Sequence, residues 1–469
     1  MSTKWTEPDI AEHEYGKPPS IWWCVIAFVV IQIAGIVMAV LTWEQGKPVM
    51  SGTFFIRALL LPLFVWGAVT AYIYTGYDDW IERVDWWNYL CRTKCARWRE
   101  WARAHVAILG SVTLTPEPEL AERLLGLEGR APMNPGKIMA LPEMDASAGV
   151  SRVGLVIEQL LTPFALRISR LAPAHTFEVV LHSADKRDTA ELRAVWRKLG
   201  LSNLVEIGWA PFDAKTAKVE HWFDAGLKPS FRLVLGCQLH VEGEEPSCSE
   251  AAVAMLLAPS KVVAAFKGKL EPQARLFRPI STHSGSIADA LERLLTTEQT
   301  PRVRIRHGWS SGLSRQSRHA TSGAVKNAGL DLAEHDVDDA IGKPGPVNGL
   351  LLQALAAQMV EHGQGAQLVV SPEGQGAMLN LVGTQVVPVP HASLGGVRIL
   401  SLPTSIGLIC CMALILFLLD AANASRAWFW GCFAVFVLMF PLQTGGSMLK
   451  RRMVEDDFFR QLRRSEEPT

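Results

Sequence analysis

The chain has 469 residues, with 46 Lys+Arg and 46 Asp+Glu, so its formal net charge is zero. That balance argues against a nucleic-acid binder, which carries a basic excess or a strongly basic face. The length leaves room for two or three domains, and the apolar residues gather at the two ends of the chain.

Residues 1–20 read as a weakly charged tail. Ile21 to Trp43 carries no charged residue and is long enough to cross about 30 Å of hydrocarbon as a helix. Thr53 to Tyr77 follows, with Arg57 near its start, able to snorkel, and Pro62 inside, which membrane helices tolerate. Residues 21–77 are thus expected to form a transmembrane hairpin. The first run is too long, and lacks the basic lead, for a cleavable signal peptide. Residues 78–106 read as an amphipathic helix in which Trp80, Trp86, Trp87, Trp98 and Trp101 mix with arginines. That mixture suits either anionic headgroups or a nucleic-acid stacking surface. Its place beside a membrane span favours headgroups.

Residues 107–398 alternate strand-like and helix-like patterns, the signature of an α/β domain with an at least partly parallel sheet. Phe177–His182, Phe231–Gly236, Gln367–Ser371 and Ala377–Val382 read as strands, and Ala251–Leu257 is a continuous apolar run. Asp188–Leu199 and Val347–His362 read as helices. Thr115–Met144, rich in Pro, Gly and Glu, reads as a linker or irregular insertion. Pro403–Leu419, which Ile399–Leu402 could extend, and Ala427–Leu442 form a second hairpin within residues 399–449. Residues 450–469 are a basic tail. The fold class expected is α/β, with a helical hairpin at each end and four membrane helices in all.

Lys and Arg cluster after the second span (Arg83, Arg92, Lys94, Arg97, Arg99, Arg103) and after the fourth (Lys450, Arg451, Arg452, Arg460, Arg463, Arg464). The hairpin turns carry only Lys47, Arg57 and Arg426. By the positive-inside rule both termini and the central domain are expected in the cytoplasm of a multi-pass inner-membrane protein.

The eight cysteines show no CxxC or Cys/His zinc spacing. Cys24, Cys410, Cys411 and Cys432 lie in apolar runs, where a thiol acts as a small hydrophobe. Cys91 and Cys95 are a helical turn apart, and Cys237 and Cys248 flank a loop; the set reads as reduced thiols. His240 with Glu242, Glu244 and Glu245 reads as a solvated loop rather than a metal site. There is no GxSxG elbow, Walker loop or GxGxxG after a strand. No metal or cofactor is expected.

Four stretches together resemble the thiolase-like family, which includes the ketoacyl synthases. Cys248-Ser-Glu-Ala-Ala-Val-Ala-Met-Leu-Leu257 is similar to the family's Ser-Glu-Gly leading into an apolar strand. Arg306-His307-Gly308-Trp309-Ser310-Ser311 is similar to its His-Gly-Thr-Ser-Thr loop. Ile341-Gly-Lys-Pro-Gly-Pro346 stands where the family has Ile-Gly-His before a long helix, and Glu373-Gly-Gln-Gly-Ala377 resembles its last glycine turn. The resemblance spans Thr176 to Val382 and implies a thiolase-like scaffold. It departs where chemistry matters. The family's condensing members use a Cys nucleophile at a helix start; upstream of Ser249 only Cys237 is available, at the end of a strand. The second histidine position is Lys343, and only His307 remains of the pair. A thiolase-like domain without the family's catalysis is therefore expected.

The overall plan resembles the lipase-adapter proteins of bacterial type VI secretion: an apolar hairpin, a Trp/Arg-rich exit helix, and Phe177–Leu201 leading to Trp209-Ala-Pro-Phe212. That resemblance implies an adapter or chaperone that binds a lipase effector and a secretion-spike protein, in contact with membrane lipids and not with nucleic acid. Two other classes stand beside it. One is a membrane-bound acyltransferase or thiolase-like hydrolase with His307 as base and Ser310 or Ser311 as nucleophile. The other is an effector immunity protein, whose large domain would face the periplasm.

Overall fold

The computed structural model describes residues 5–466 except 45, 47, 49–50, 144–150, 203–204, 214–218, 225–229, 242, 385, 391–392, 394–399 and 424. Lys47, Glu242, the end of the expected linker at Met144, the expected domain end at 398 and the extension from Ile399 fall outside the described residues. The chain divides into two units: residues 7–98 with 390–469, and residues 99–389 with 2–6.

Among the described residues the first unit holds four helices long and apolar enough to cross a membrane, found in Ile21–Leu41, Gly52–Ala102, Leu402–Ala421 and Arg426–Arg464. The second opens with Gly52–Phe55, widens into a π-turn over Ile56–Leu60, then continues as Leu61–Ala102. Pro62 explains the widening: it has no N–H to donate and its ring collides with the preceding turn. Small residues set the packing, as expected where apolar burial does not drive helix association. A side chain at Gly35 would run into the Pro62 ring. One at Gly67 would lie 2.7 Å from Cys410 Sγ, and one at Gly407 3.0 Å from Ala71 Cβ.

The helix does not break at Tyr77, where the amphipathic segment was expected to begin, and it continues to Ala102. Nor do its tryptophans simply face headgroups. Trp87 is 5% exposed. Its Nε1 donates to Ala11 O at 3.1 Å, His13 stacks on its ring at 4.5 Å, and Phe458 meets it edge-on. Trp86 lies under the Arg451 guanidinium at 5.2 Å. The N-terminal tail is tied along this helix by reciprocal Asn88–His13 backbone hydrogen bonds and by Glu12–Arg92 at 2.7 Å. The C-terminal basic tail is likewise helical, continuing the last span to Glu466.

In the second unit, eleven strands form one mixed sheet: β1 (His105–Leu114), β2 (Phe177–His182), β3 (Glu206–Ala210), β4 (Phe231–Gln238), β5 (Ala251–Pro259), β6 (Ala274–Phe277), β7 (Ile280–His283), β8 (Ile305–Ser310), β9 (Ala333–Asp336), β10 (Ala366–Glu373) and β11 (Gly376–Gly383). Their order is β3-β2-β4-β5-β1-β6-β11-β10-β8-β9, with β7 beside β11. The sheet is a duplication. In the first half β2 is parallel to β3 and β4, β4 is antiparallel to β5, and β5 to β1. In the second half β8, β9, β10, β11 and β6 repeat those relations in the same sequence. The halves join through β1 and β6, antiparallel, with Val106 opposite Leu276.

Strand β5 shows how the layers arise. Ala251, Val253, Met255 and Leu257 enter one core with the Asn348–Glu361 helix. Ala252, Ala254, Leu256 and Ala258 enter another with the Arg152–Leu161 and Asp188–Lys198 helices. A strand buried on both faces reads as an unbroken apolar run, as this one does. The Asn348–Glu361 helix is buried almost all round, which marks it as a central element rather than a surface one. A third core packs the Ile287–Thr296 and Arg315–Asn327 helices on the outer face of the second half-sheet. The expected strands and helices are present, and the Thr115–Met144 stretch is an insertion containing one short helix, Leu120–Leu124.

Gly35→Leu and Gly67→Leu are each expected to destabilise the membrane unit by about 1–3 kcal/mol through overpacking. Thermal unfolding in detergent should show the midpoint fall by several degrees. Gly52→Ala, where an added Cβ meets nothing within 4 Å, should leave it in place.

Candidate functional site

The carboxyl ends of parallel strands are where α/β sheets place their sites. Here the ends of β4 and β8 converge on the first turn of the Asn348–Glu361 helix. Gln238, the last residue of β4, accepts a hydrogen bond from Val347 N at 3.0 Å, and its amide donates to Ser249 O. Ser311, just past β8, accepts from Asn348 Nδ2 at 2.7 Å and donates to Asp338 Oδ1 at 2.5 Å. Asp338 Oδ2 takes Gly312 N at 2.7 Å.

Two of the four stretches singled out in the sequence, those at Cys248 and Ile341, are joined directly here, and the residues just past the Arg306 stretch and just before the Glu373 stretch lie close together. Ser249 N donates to Lys343 O at 2.9 Å, and a side chain at Gly312 would lie 3.3 Å from Pro372. Gly312 has φ +69°, a turn conformation that glycine adopts without a Cβ penalty. Ser249 and Glu250 act as a pin for the insertion. Ser249 Oγ bridges Met139 N and Lys137 O. Glu250, fully buried, accepts from Leu141 N at 2.7 Å and His240 N at 2.8 Å, and pairs with Arg152 at 2.5 Å. His240 Nε2 lies 2.8 Å from Cys248 O, so His240 is committed to structure, whereas Glu244 and Glu245 are exposed.

His307 is not brought to Ser310 or Ser311. It lies three and four residues earlier along the same strand and its continuation, roughly 10–13 Å of extended chain. Its partner is His335 on β9, with Nδ1 and Nε2 at 3.1 Å. His335 also packs against Trp309, 5.0 Å between ring centres. Ser310 pairs in register with Asp336 and Val370. Beside it, Arg318 Nη1 reaches Asp336 Oδ2 at 2.5 Å and Arg318 Nη2 reaches Asp338 at 3.8 Å. The Arg318–Asp336 contact is electrostatic, because Oδ2 gains no well-formed hydrogen bond. Sequence reasoning missed His335, Asp336, Asp338, Arg318 and Asn348. The visible signal was the acidic run Asp336-Val-Asp-Asp339 opening a helix after a short polar segment.

Burial sets the protonation here. His335 is pushed down to about 4, first by burial and then by His307. His307 is lowered by burial and by Arg306. Both imidazoles are therefore neutral at pH 7. Asp336 is raised to about 6 by burial and by Asp338, against the pull of Arg318, and Asp338 is raised chiefly by burial. Cys237 is fully enclosed in β4, where burial pushes its thiol up to about 12; it does not supply a thiolate near neutrality. Ser311 is 1% exposed. His105, His182 and His240 each face a backbone carbonyl and His307 faces His335, so each of these four histidines has a partner that is neither a hydroxyl nor a thiol. Among the described residues no cluster of three or more His, Cys, Asp or Glu is arranged to hold a metal ion.

No family model matches the chain, and no curated protein matches it. Solved thiolase- and ketosynthase-like structures do. One is a type II polyketide ketosynthase in complex with its acyl-carrier protein (AntDE:AntF), at 11% identity, 61% of this chain, 100% of that chain and a TM-score of 0.43. Another is a variant of OleA from Xanthomonas campestris, at 13% identity, 60% and 98% coverage and a TM-score of 0.37. A third is acetyl-CoA acetyltransferase from Syntrophomonas wolfei, at 11% identity, 60% and 100% coverage and a TM-score of 0.37.

Two predictions follow from the site's charges. An acid whose folded pKa is raised favours the folded state at low pH, and that contribution is lost as pH rises through about 6 for Asp336. A histidine whose folded pKa is depressed does the opposite. The contribution of His335 is present above pH 6.5 and lost as pH falls toward about 4. The two therefore oppose each other between pH 6.5 and 4. Asp336→Asn should make the unfolding midpoint of the domain fall more steeply on acidification through this window, and His335→Asn should flatten or invert that slope. Separately, Glu250→Ala strands the Leu141 and His240 amides and should cost about 3 kcal/mol. Urea unfolding followed by tryptophan fluorescence would show it, and Glu250→Gln should lose less.

Proposed function

We propose that this chain is an inner-membrane adapter: a thiolase-like domain, anchored through its four apolar helices, that holds a protein partner rather than performing acyl transfer. The observation that carries the reading is the closure of its polar end. Ser311 is buried between Asp338 and Asn348, the Cys237 thiol is sealed within the sheet, and neither touches a histidine. Nucleophilic catalysis needs a nucleophile and base within hydrogen-bond reach. With the carboxyl ends of β4 and β8 committed to internal bonds, the domain's outer surface is left for binding. The resemblance of the overall sequence plan to type VI lipase adapters supports a lipase effector and a secretion-spike protein as the partners. The positive flanks support a cytoplasmic side for the domain and both termini.

A second reading rests on one feature. The His307–His335 pair is only partly buried and neutral at pH 7, so His307 could serve as base in a membrane-bound acyltransferase.

The test is co-expression with a lipase and a spike protein encoded beside this chain, followed by purification in mild detergent. A stable complex with the lipase, together with the absence of acyl-thioester turnover, supports the adapter. Acyl-thioester turnover that His307→Ala abolishes overturns it in favour of the enzyme. A reporter fused at Arg318 checks the topology; a periplasmic signal there would point instead to an immunity protein.

A further inference from the structure

Inside the membrane unit a cavity of about 420 Å³ opens between the Leu61–Ala102 and Arg426–Glu466 helices, beside the first turn of Leu402–Ala421. Its size falls in the range of small-molecule sites. Its lining changes character along its length. Met439 and Leu442 belong to the apolar span, whereas Asp79, Asp85, Lys450 and Arg451 stand just beyond it. The cavity therefore straddles the level at which both helices pass from apolar to charged, which is the boundary between hydrocarbon and headgroup.

Two wall groups stand out. Trp86 Nε1, a donor, and Gln443 Oε1, an acceptor, are both buried with no hydrogen-bond partner among the described residues. Buried polar groups in folded proteins are normally satisfied, and an orphaned donor and acceptor beside one cavity point to a missing polar molecule. The charges define its class. Lys450 lies 2.6 Å from Asp79, and Arg451 lies 3.2 Å from Glu82. Asp85 receives the Tyr15 hydroxyl at 2.8 Å. The lining holds four carboxylates (Asp78, Asp79, Glu82, Asp85) against three cations (Arg92, Lys450, Arg451). A purely anionic headgroup would meet net repulsion there, whereas a head bearing both phosphate and ammonium complements both signs.

We propose that this cavity binds one molecule of an amine-bearing zwitterionic glycerophospholipid. Its phosphate lies toward Lys450 and Arg451, its ammonium toward Asp85 and Asp79, and its acyl chains leave past Met439 and Leu442. The site is independent of whether the soluble domain holds a partner.

Native mass spectrometry of the full chain in mild detergent tests it, with phosphatidylethanolamine, phosphatidylglycerol, and soluble phosphoethanolamine with inorganic phosphate as probes. The expected result is a one-to-one phosphatidylethanolamine adduct at least tenfold stronger than the phosphatidylglycerol adduct, not displaced by the soluble phosphates. Gly446 lines the cavity, and an added Cβ there meets nothing within 4 Å. Gly446→Leu should therefore fill the space, keep the fold and reduce the adduct at least tenfold. If that variant does not fold, Gln443→Leu, which removes the acceptor at nearly constant volume, should weaken the adduct several-fold. An adduct unchanged by the folded variant overturns the proposal, as does equal binding of phosphatidylglycerol or displacement by the soluble phosphates.

Discussion

The second unit depends on the pairing of β1 with β6. Each half-sheet carries the same five-strand order and the same directions, and each would otherwise end in a bare edge of unpaired amides and carbonyls. Joining the halves at that edge removes it. The joint also leaves one inner space, shared by both halves, in which a helix can be buried on every side. The Asn348–Glu361 helix occupies that space, and its first turn becomes the point on which the carboxyl ends of β4 and β8 both close. The location of the polar cluster is therefore a consequence of the joint.

Duplicate halves need not stay chemically alike. The element equivalent to the Asn348–Glu361 helix in the first half lies between β3 and β4, where the described residues hold only a six-residue helix, Val219–Asp224. Val219 and Trp222 still enter the shared core. The topological slot is occupied and packed, and the described residues of its helix include no cysteine. The second half kept a longer helix and surrounded its start with Ser311, Asp338 and Asn348, all bonded to one another. A hydroxyl that donates to a buried carboxylate and accepts from a buried amide is held by two bonds that an incoming substrate would have to break. The same hydrogen bonds stabilise the pole of the domain and hold its hydroxyl in place.

How much of this was legible in the sequence depended on burial. Ala251–Leu257 was visible because both faces of β5 are covered, which leaves an uninterrupted apolar run, and Val347–His362 because a helix buried all round is apolar all round. Strands β6, β7 and β9 are four residues each; β7 and β9 are also partly exposed, so neither length nor alternation set them apart from loop. The membrane spans were plain, but the helix through Tyr77 was not, since a run of Asp, Arg and Trp does not reveal that a tail folds back along it. At the site, His307 was singled out and its partner was not. His335 is 28 residues away and reaches it only through the parallel pairing of β8 with β9. A serine nearby in sequence looked like the better partner, and strand geometry carries it away along the same chain.

The membrane unit follows a different logic from the domain. Without a hydrophobic force between helices in hydrocarbon, their approach is set by what is missing: no side chain at Gly35 against Pro62, none at Gly67 against Cys410, none at Gly407 against Ala71. Beyond the apolar stretch the Leu61–Ala102 helix is held to the Arg426–Glu466 helix by the ion pairs Asp79–Lys450 and Glu82–Arg451, and to the N-terminal tail by Asn88–His13. The glycine contacts draw the Leu61–Ala102 helix toward the first and third spans, whereas toward the fourth it meets long charged side chains at the level where the apolar stretch ends. The cavity lies at that level, lined on one side by Met439 and Leu442 and on the other by the ion pairs. Its amphipathic lining follows from the passage of these two continuous helices from apolar to charged residues.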